Sequence, residues 1–190
     1  LMVFPHMVLH FDVGRKKSVA ELEQAMAENQ RIFLVAQCDM DVDDPAIDDI
    51  YHVGTIACVK QVLRLPGGNV RLLVEGKSRA VLRAVTQEEP YFVGALDEVL
   101  EQGTPVSIET DALLRTAHHY FEEYCKMSGR ISGETMQSVL EIEDPGQLAD
   151  IIAANVLSKI EDRQQVLEEF DELARLESVC ALLVRETELA

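Results

Sequence analysis

The chain has 190 residues, 47% of them hydrophobic, with a formal charge of −17. That length can bury one substantial core or two smaller ones, since domains commonly run to about 100–150 residues. Two lobes are expected, residues 1–102 and 103–190. Apolar runs such as residues 31–37 fall far short of the roughly 20 needed to cross a bilayer, so no membrane contact is expected. The opening Leu1-Met2-Val3-Phe4-Pro5 has neither a basic n-region nor a small-residue cleavage site. It reads as a strand entered midway rather than a signal peptide. Residues 1–100 carry 15 acids and 10 bases, and residues 101–190 carry 19 acids and 7 bases. Nucleic-acid binding draws its affinity from Lys and Arg displacing counterions, so such an acidic chain disfavours nucleic acid and favours a polypeptide partner.

In chain order, Ser18-Val19-Ala20-Glu21 has the form of a capping box, followed at helical spacing by Leu22 and Met26. A helix is therefore expected from Ser18 to about Asn29. Residues 31–38 read as a buried strand and residues 39–49 as an acidic loop. Residues 53–65 and 70–85 form a long antiparallel hairpin across the turn Pro66-Gly67-Gly68-Asn69. In its second arm the even positions Val70, Leu72, Val74, Gly76, Ser78, Ala80, Leu82 and Ala84 read as core. The odd positions, with Arg71, Glu75, Lys77, Arg79 and Arg83, read as wet. Residues 91–100 can add a further strand.

After Pro105 the hydrophobic period changes from 2 to 3.6. Leu114, Ala117, Phe121 and Cys125 make an apolar stripe on a long helix that Gly129 can close. A short helix follows Ser132. Asp144, Pro145 and Gln147 supply an N-cap, a first-turn proline and an N3 residue for a third helix bearing Leu148, Ile151, Ile152 and Val156. Residues 162–170 form a fourth. Leu173, Leu176, Cys180, Leu183 and Thr187 give the last helix a coiled-coil-like seam. With no stop signal before the final residue, this helix is expected to continue in the natural chain. The seam is expected to be exposed and to be the source of any dimer.

No catalytic, cofactor-binding or metal-binding constellation emerges. Cys38, Cys58, Cys125 and Cys180 have no C-x-x-C pairing or nearby histidine, which argues against zinc and for four free thiols in a reducing cytoplasm. The phosphate-binding G-x-x-x-x-G-K-[ST], H-E-x-x-H and G-x-S-x-G patterns are absent. Residues 39–50 begin like a calcium loop, but Asp44 replaces the turn glycine and Ile50 the bidentate glutamate, so a solvated turn is expected. His118 adjoins the Leu114 and Phe121 stripe and reads as half-buried and hydrogen-bonded. Leu73 interrupts the wet face. In residues 7–13 the apolar set Met7, Leu9, Phe11 and Val13 turns His10 outward. Leu73, His10 and Met7 are accordingly the candidate binding residues, a patch on which an apolar stretch of polypeptide could be gripped.

Several runs together resemble a known family: FPHMVLHFDVGR from Phe4, IFLVAQ from Ile32, VGT from Val53, LPGG from Leu65, LVEGKSR from Leu73 and DPGQLAD from Asp144. In order and spacing they are similar to the N-terminal, substrate-binding domain of bacterial LonA-type ATP-dependent proteases. The resemblance implies an α+β fold. Its β-rich, PUA-like N-lobe, a small antiparallel sheet or pseudo-barrel with one helix, precedes an all-helical C-lobe. It also implies a cytoplasmic parent that is a homohexamer, with an AAA+ ATPase using ATP and magnesium and a Ser-Lys peptidase. This chain would then be a non-catalytic, monomeric or weakly dimeric part that binds unfolded, damaged or regulatory proteins. The family's first strand residues are partly missing, so Leu1 is not expected to be the natural start. The alternatives are a PUA-like RNA-binding module and a free-standing protein-interaction module.

Overall fold

The computed structural model describes residues 2–190, without the side chains of residues 16, 17, 22 and 23. The expected helix-face residue Leu22 thus has its side chain outside the described set, as has all of Leu1. Two compact units, Leu1–Leu100 and Glu101–Ala190, account for the chain.

The first unit is an antiparallel sheet with one long helix. Its strands are β1 (Val8–Val13), β2 (Arg31–Leu34), β3 (Val53–Arg64), β4 (Val70–Gln87) and β5 (Val93–Val99), and α1 spans Lys16–Ala27. The order is β1-β4-β3-β2, with β5 also on β4. β4 is the spine. β1 pairs with its first half, from Val70 to Glu75, and β5 with its second half, from Arg79 to Gln87. The β3–β4 turn needs two left-handed residues, supplied by Gly67 at φ 89° and Gly68 at φ 86°. Ala57, Val59, Val70, Leu72 and Val74 form the core, covered by Leu9, Phe11 and Val13 of β1, Val19 and Met26 of α1, and Ile32 and Leu34 of β2.

Three details depart from expectation. α1 starts at Lys16, with Arg15 at the N-cap and no side-chain cap, so Ser18 lies in the first turn. β2 stops at Leu34, because Gln37 instead bridges Ile50 and donates from Nε2 to the Val42 carbonyl at 2.8 Å. Cys38 is therefore exposed beyond the strand, and all four cysteines are free. Finally, Arg79, expected on the wet face, is only 1% exposed. The cause is a register shift: Ile56 faces Ser78, whereas Ala57 faces Gly76. The extra residue, Lys77, interrupts the alternation locally: Arg79 comes opposite the buried Thr55 and is buried together with its neighbour Ala80, whereas Leu82 is again buried and Arg83 exposed. Residues 2–5 are buried here, with Thr55 Oγ1 donating to the Val3 carbonyl at 2.6 Å. At Gly76 a Cβ would come within 2.2 Å of the Phe4 carbonyl oxygen, so the close approach admits only glycine.

The second unit is a helical bundle of α2 (Ile108–Ser128), α3 (Gly133–Leu140), α4 (Pro145–Val156), α5 (Ile160–Glu168) and α6 (Glu172–Leu189). Ser107, Ser132, Asp144 and Asp171 each accept a backbone N–H in the first turn, at 3.1, 3.2, 2.9 and 2.8 Å. These caps satisfy otherwise orphaned donors at the helix starts. Gly129 closes α2 in the left-handed region at φ 63°. Ala117, Phe121 and Cys125 of α2 and Leu148, Ile152 and Val156 of α4 are buried. The α6 seam is not exposed, contrary to expectation: Leu176, Cys180 and Leu183 are buried in the bundle, where α6 packs on α2 and α4. An interface between copies cannot use that seam without unfolding the bundle.

Candidate functional site

The strand register assembles the candidate residues. His10 of β1 lies directly opposite Leu73 of β4, and Leu73 lies opposite Gln61 of β3. Directly opposed residues share a face, so these three form one row on the side away from the core. The row on one side is Val8 with Glu75, and the row on the other is Asp12, Arg71 and Leu63. Val8 is 60% exposed and Leu63 55% exposed. Both are diagonal neighbours of Leu73, at the about 7–8 Å typical of such pairs. Leu73 is half-buried and His10 exposed. Met7 precedes β1, is half-buried, and gives its carbonyl to the Gly76 N–H at 2.8 Å. Alternation sets it on the Leu9 side, so the structure joins Leu73 with His10 but not with Met7. Val8 and Leu63 were missed because each lies on a different strand from Leu73 and only the register relates them.

Ion pairs frame this apolar trio. Arg71 Nε donates to Asp12 Oδ1 at 2.8 Å, while Lys60 and Lys77 reach Glu75 at 3.2 and 3.1 Å. Hydrogen bonds from these cations hold the Asp12 and Glu75 carboxyls below their ordinary range. In such largely exposed surroundings the pairs add little stability. Their effect is to leave no cation of this framework without an acid.

A second feature of the same unit lies around β2. Two recesses of about 380 and 470 Å³ share Arg15, Ser18 and Glu21 from the α1 side and Ile32, Phe33 and Val35 from the β2 side. The Phe33 ring lies over Gly54, where a Cβ would meet Phe33 Cζ at 2.7 Å. Desolvation alone pushes the Glu21 carboxyl up to about 7.

In the helical unit, Glu101, Asp144 and Glu172 place carboxylate oxygens within 4.8 Å of one another. Arg175, fully buried, donates from Nη1 to Glu101 at 2.8 Å and lies 3.5 Å from Asp150. Thr104 Oγ1 donates to Glu172 at 2.9 Å. Desolvation, and then a hydrogen bond with Glu101, push Glu172 up to about 7, so the two carboxyls share a proton near neutrality. His118 is half-buried, with Nε2 hydrogen-bonded to the Ile142 carbonyl at 2.9 Å. In the acidic loop Asp39 Oδ1 accepts the Asp41 N–H at 2.9 Å, the geometry of a turn. Among the described residues, no helix is long and apolar enough to cross a membrane.

The profile of the family described as the ATP-dependent protease La (LON) substrate-binding domain matches residues 1–185. The Lon protease of Desulforamulus reducens is 46% identical over 192 residues, covering 100% of this chain and 23% of that protein. The Lon protease of Brevibacillus choshinensis is 43% identical over 189 residues, covering 100% of this chain and 24% of that protein. The chain thus spans about a quarter of the length of these relatives. Among solved structures, the N-terminal domain of Mycobacterium avium complex Lon protease has a TM-score of 0.74 at 24% identity, covering 98% of this chain and 92% of that one. The Lon N-terminal domain protein from Xanthomonas campestris has a TM-score of 0.66 at 13% identity, covering 95% and 92%. These two likenesses concern the fold, whereas the profile match spans nearly the whole sequence. On that match, the chain belongs to the LON substrate-binding domain family.

Proposed function

We propose that this chain is the non-catalytic substrate-recognition part of an ATP-dependent Lon serine protease. It binds unfolded, damaged or regulatory proteins and delivers them to an ATPase and peptidase ring in the cytoplasm. The observation that carries this reading is the outward apolar trio Val8, Leu63 and Leu73, with His10 opposite Leu73, on one face of the sheet. Branched aliphatic groups on that face stabilise no core, yet offer area to an apolar stretch of any sequence. One such contact contributes about 1–2 kcal/mol by area burial. RNA is a poorer fit, because Arg71, Lys60 and Lys77 on this face are matched by Asp12 and Glu75. ATP and magnesium belong, in this reading, to the ATPase of the hexameric parent; the chain alone neither hydrolyses ATP nor cleaves casein.

The test is Leu73→Ser, measured against fluorescently labelled, reduced and carboxymethylated casein. Affinity should fall several-fold, while the melting temperature changes by no more than about 2 °C. A drop of many degrees with unchanged affinity would place Leu73 in the folding core and refute the assignment.

A further inference from the structure

β2 has an edge that the outer face does not use. The Val59 N–H donates to the Gln30 carbonyl at 2.8 Å, and the same register pairs Ile32 with Ala57 and Leu34 with Thr55. Hydrogen-bonded pairs alternate along an antiparallel ladder, so Gln30, Ile32 and Leu34 direct their main-chain groups to β3. Arg31 and Phe33 direct theirs away. The Arg31 N–H is taken by Asn29 Oδ1 at 3.1 Å. Among the described residues β3 is the one strand paired with β2, which leaves the Arg31 carbonyl and the Phe33 N–H and carbonyl on an open edge.

This edge is not bare to solvent. It borders the two recesses described above, which meet at Ile32, Phe33 and Val35 and are walled by Arg15, Ser18 and Glu21. Ile32 and Leu34 pack toward the core, while Phe33 lies on the other side, so an added strand would find apolar surface on both of its faces. The charged lining also discriminates. Arg31 is drawn to Glu98 at 3.9 Å and Arg15 to Gln37 at 3.3 Å. Glu21 lines both recesses, where burial pushes its carboxyl up to about 7. A helix could not use the edge, because its main-chain groups are bonded internally.

We propose that this groove receives an extended polypeptide segment as an additional strand on β2, with apolar side chains alternating across the edge and a Lys or Arg beside Glu21. The inference rests on the reading of the domain as a binder of unfolded protein, and assigns it a second, main-chain mode of recognition. Backbone pairing is independent of sequence, which suits partners that share only their unfolded state.

The probe is the fluorescein-labelled peptide Lys-Val-Thr-Val-Thr-Val-Thr, with two analogues N-methylated at alternate amides in opposite registers. Methylating the register that faces β2 should weaken binding by about tenfold or more, the size of a lost hydrogen-bonding position, and the other register by no more than about twofold. Amide exchange should slow at Phe33 on adding the probe and stay unchanged at Ile32, which is already bonded to β3. Glu21→Lys should weaken the probe and leave the Leu73→Ser effect on casein intact. Absence of probe binding, equal effects of both methylated registers, or an unprotected Phe33 amide would each overturn the groove proposal. If casein binding sensitive to Leu73→Ser survives such a failure, the broader reading stands; if the chain binds neither casein nor probe, both fall.

Discussion

The carboxyl pair of the helical unit should make stability fall as pH rises. Glu172 is pushed from 4.5 to about 7, first by desolvation and then by its hydrogen bond with Glu101. In the folded state it therefore holds a proton that the unfolded chain releases earlier. The contribution is fully present below about 4.5 and is lost as pH rises through about 7. A shift of that size corresponds at most to about 3 kcal/mol. Glu101 is partly exposed and Arg175 offsets part of the negative charge, so about 1–2 kcal/mol is expected to be lost between pH 5 and pH 8. Glu172→Gln tests this, because an amide donates to Glu101 at every pH and can still accept from Thr104. Relative to the unaltered chain, the variant should gain about 1–2 kcal/mol at pH 8 and almost nothing at pH 5, read by urea denaturation followed through helical circular dichroism. Comparing the two proteins removes the contribution of the many other acids. A difference that is constant from pH 5 to pH 8, or a variant less stable at pH 8, would refute the shared-proton account.

Leu183→Ala, a truncation in the interior of the bundle, should cost about 2–5 kcal/mol without altering the assembly state by light scattering. A change of assembly with stability preserved would restore the seam as an interface. Gly76→Ala forces a Cβ against the Phe4 carbonyl and should destabilise the β unit by about 1–3 kcal/mol, with loss of amide protection at His6, whose N–H donates to the Gly76 carbonyl at 3.0 Å. Unchanged protection there would show that residues 2–5 can shift without cost.

Local chemistry was legible wherever it acts within a few residues. Ser132, Asp144, Pro145 and Gly129 mark helix ends because each satisfies or replaces a backbone group in its own turn. Gly67 and Gly68 mark the hairpin because the turn needs left-handed residues whatever the rest of the chain does. The alternation of Val70, Leu72 and Val74 identified a core face, and the runs from Phe4, Leu65 and Asp144 together identified the family.

What lay beyond the sequence are the features that depend on where one strand meets another. The extra residue at Lys77 interrupts the alternation, so Arg79 is buried beside Ala80; no local pattern announces such a shift, because it is defined by the spacing of β3 against β4. Val8 and Leu63 join Leu73 only through the register of three strands, and β2 keeps an open edge only because the sheet ends there. The α6 seam has the same heptad form whether it meets another chain or its own bundle, and packing against α2 and α4 decided between them. Sequence periodicity determines which side of an element is apolar; the tertiary structure determines what that side faces, because burial depends on neighbours distant in the chain.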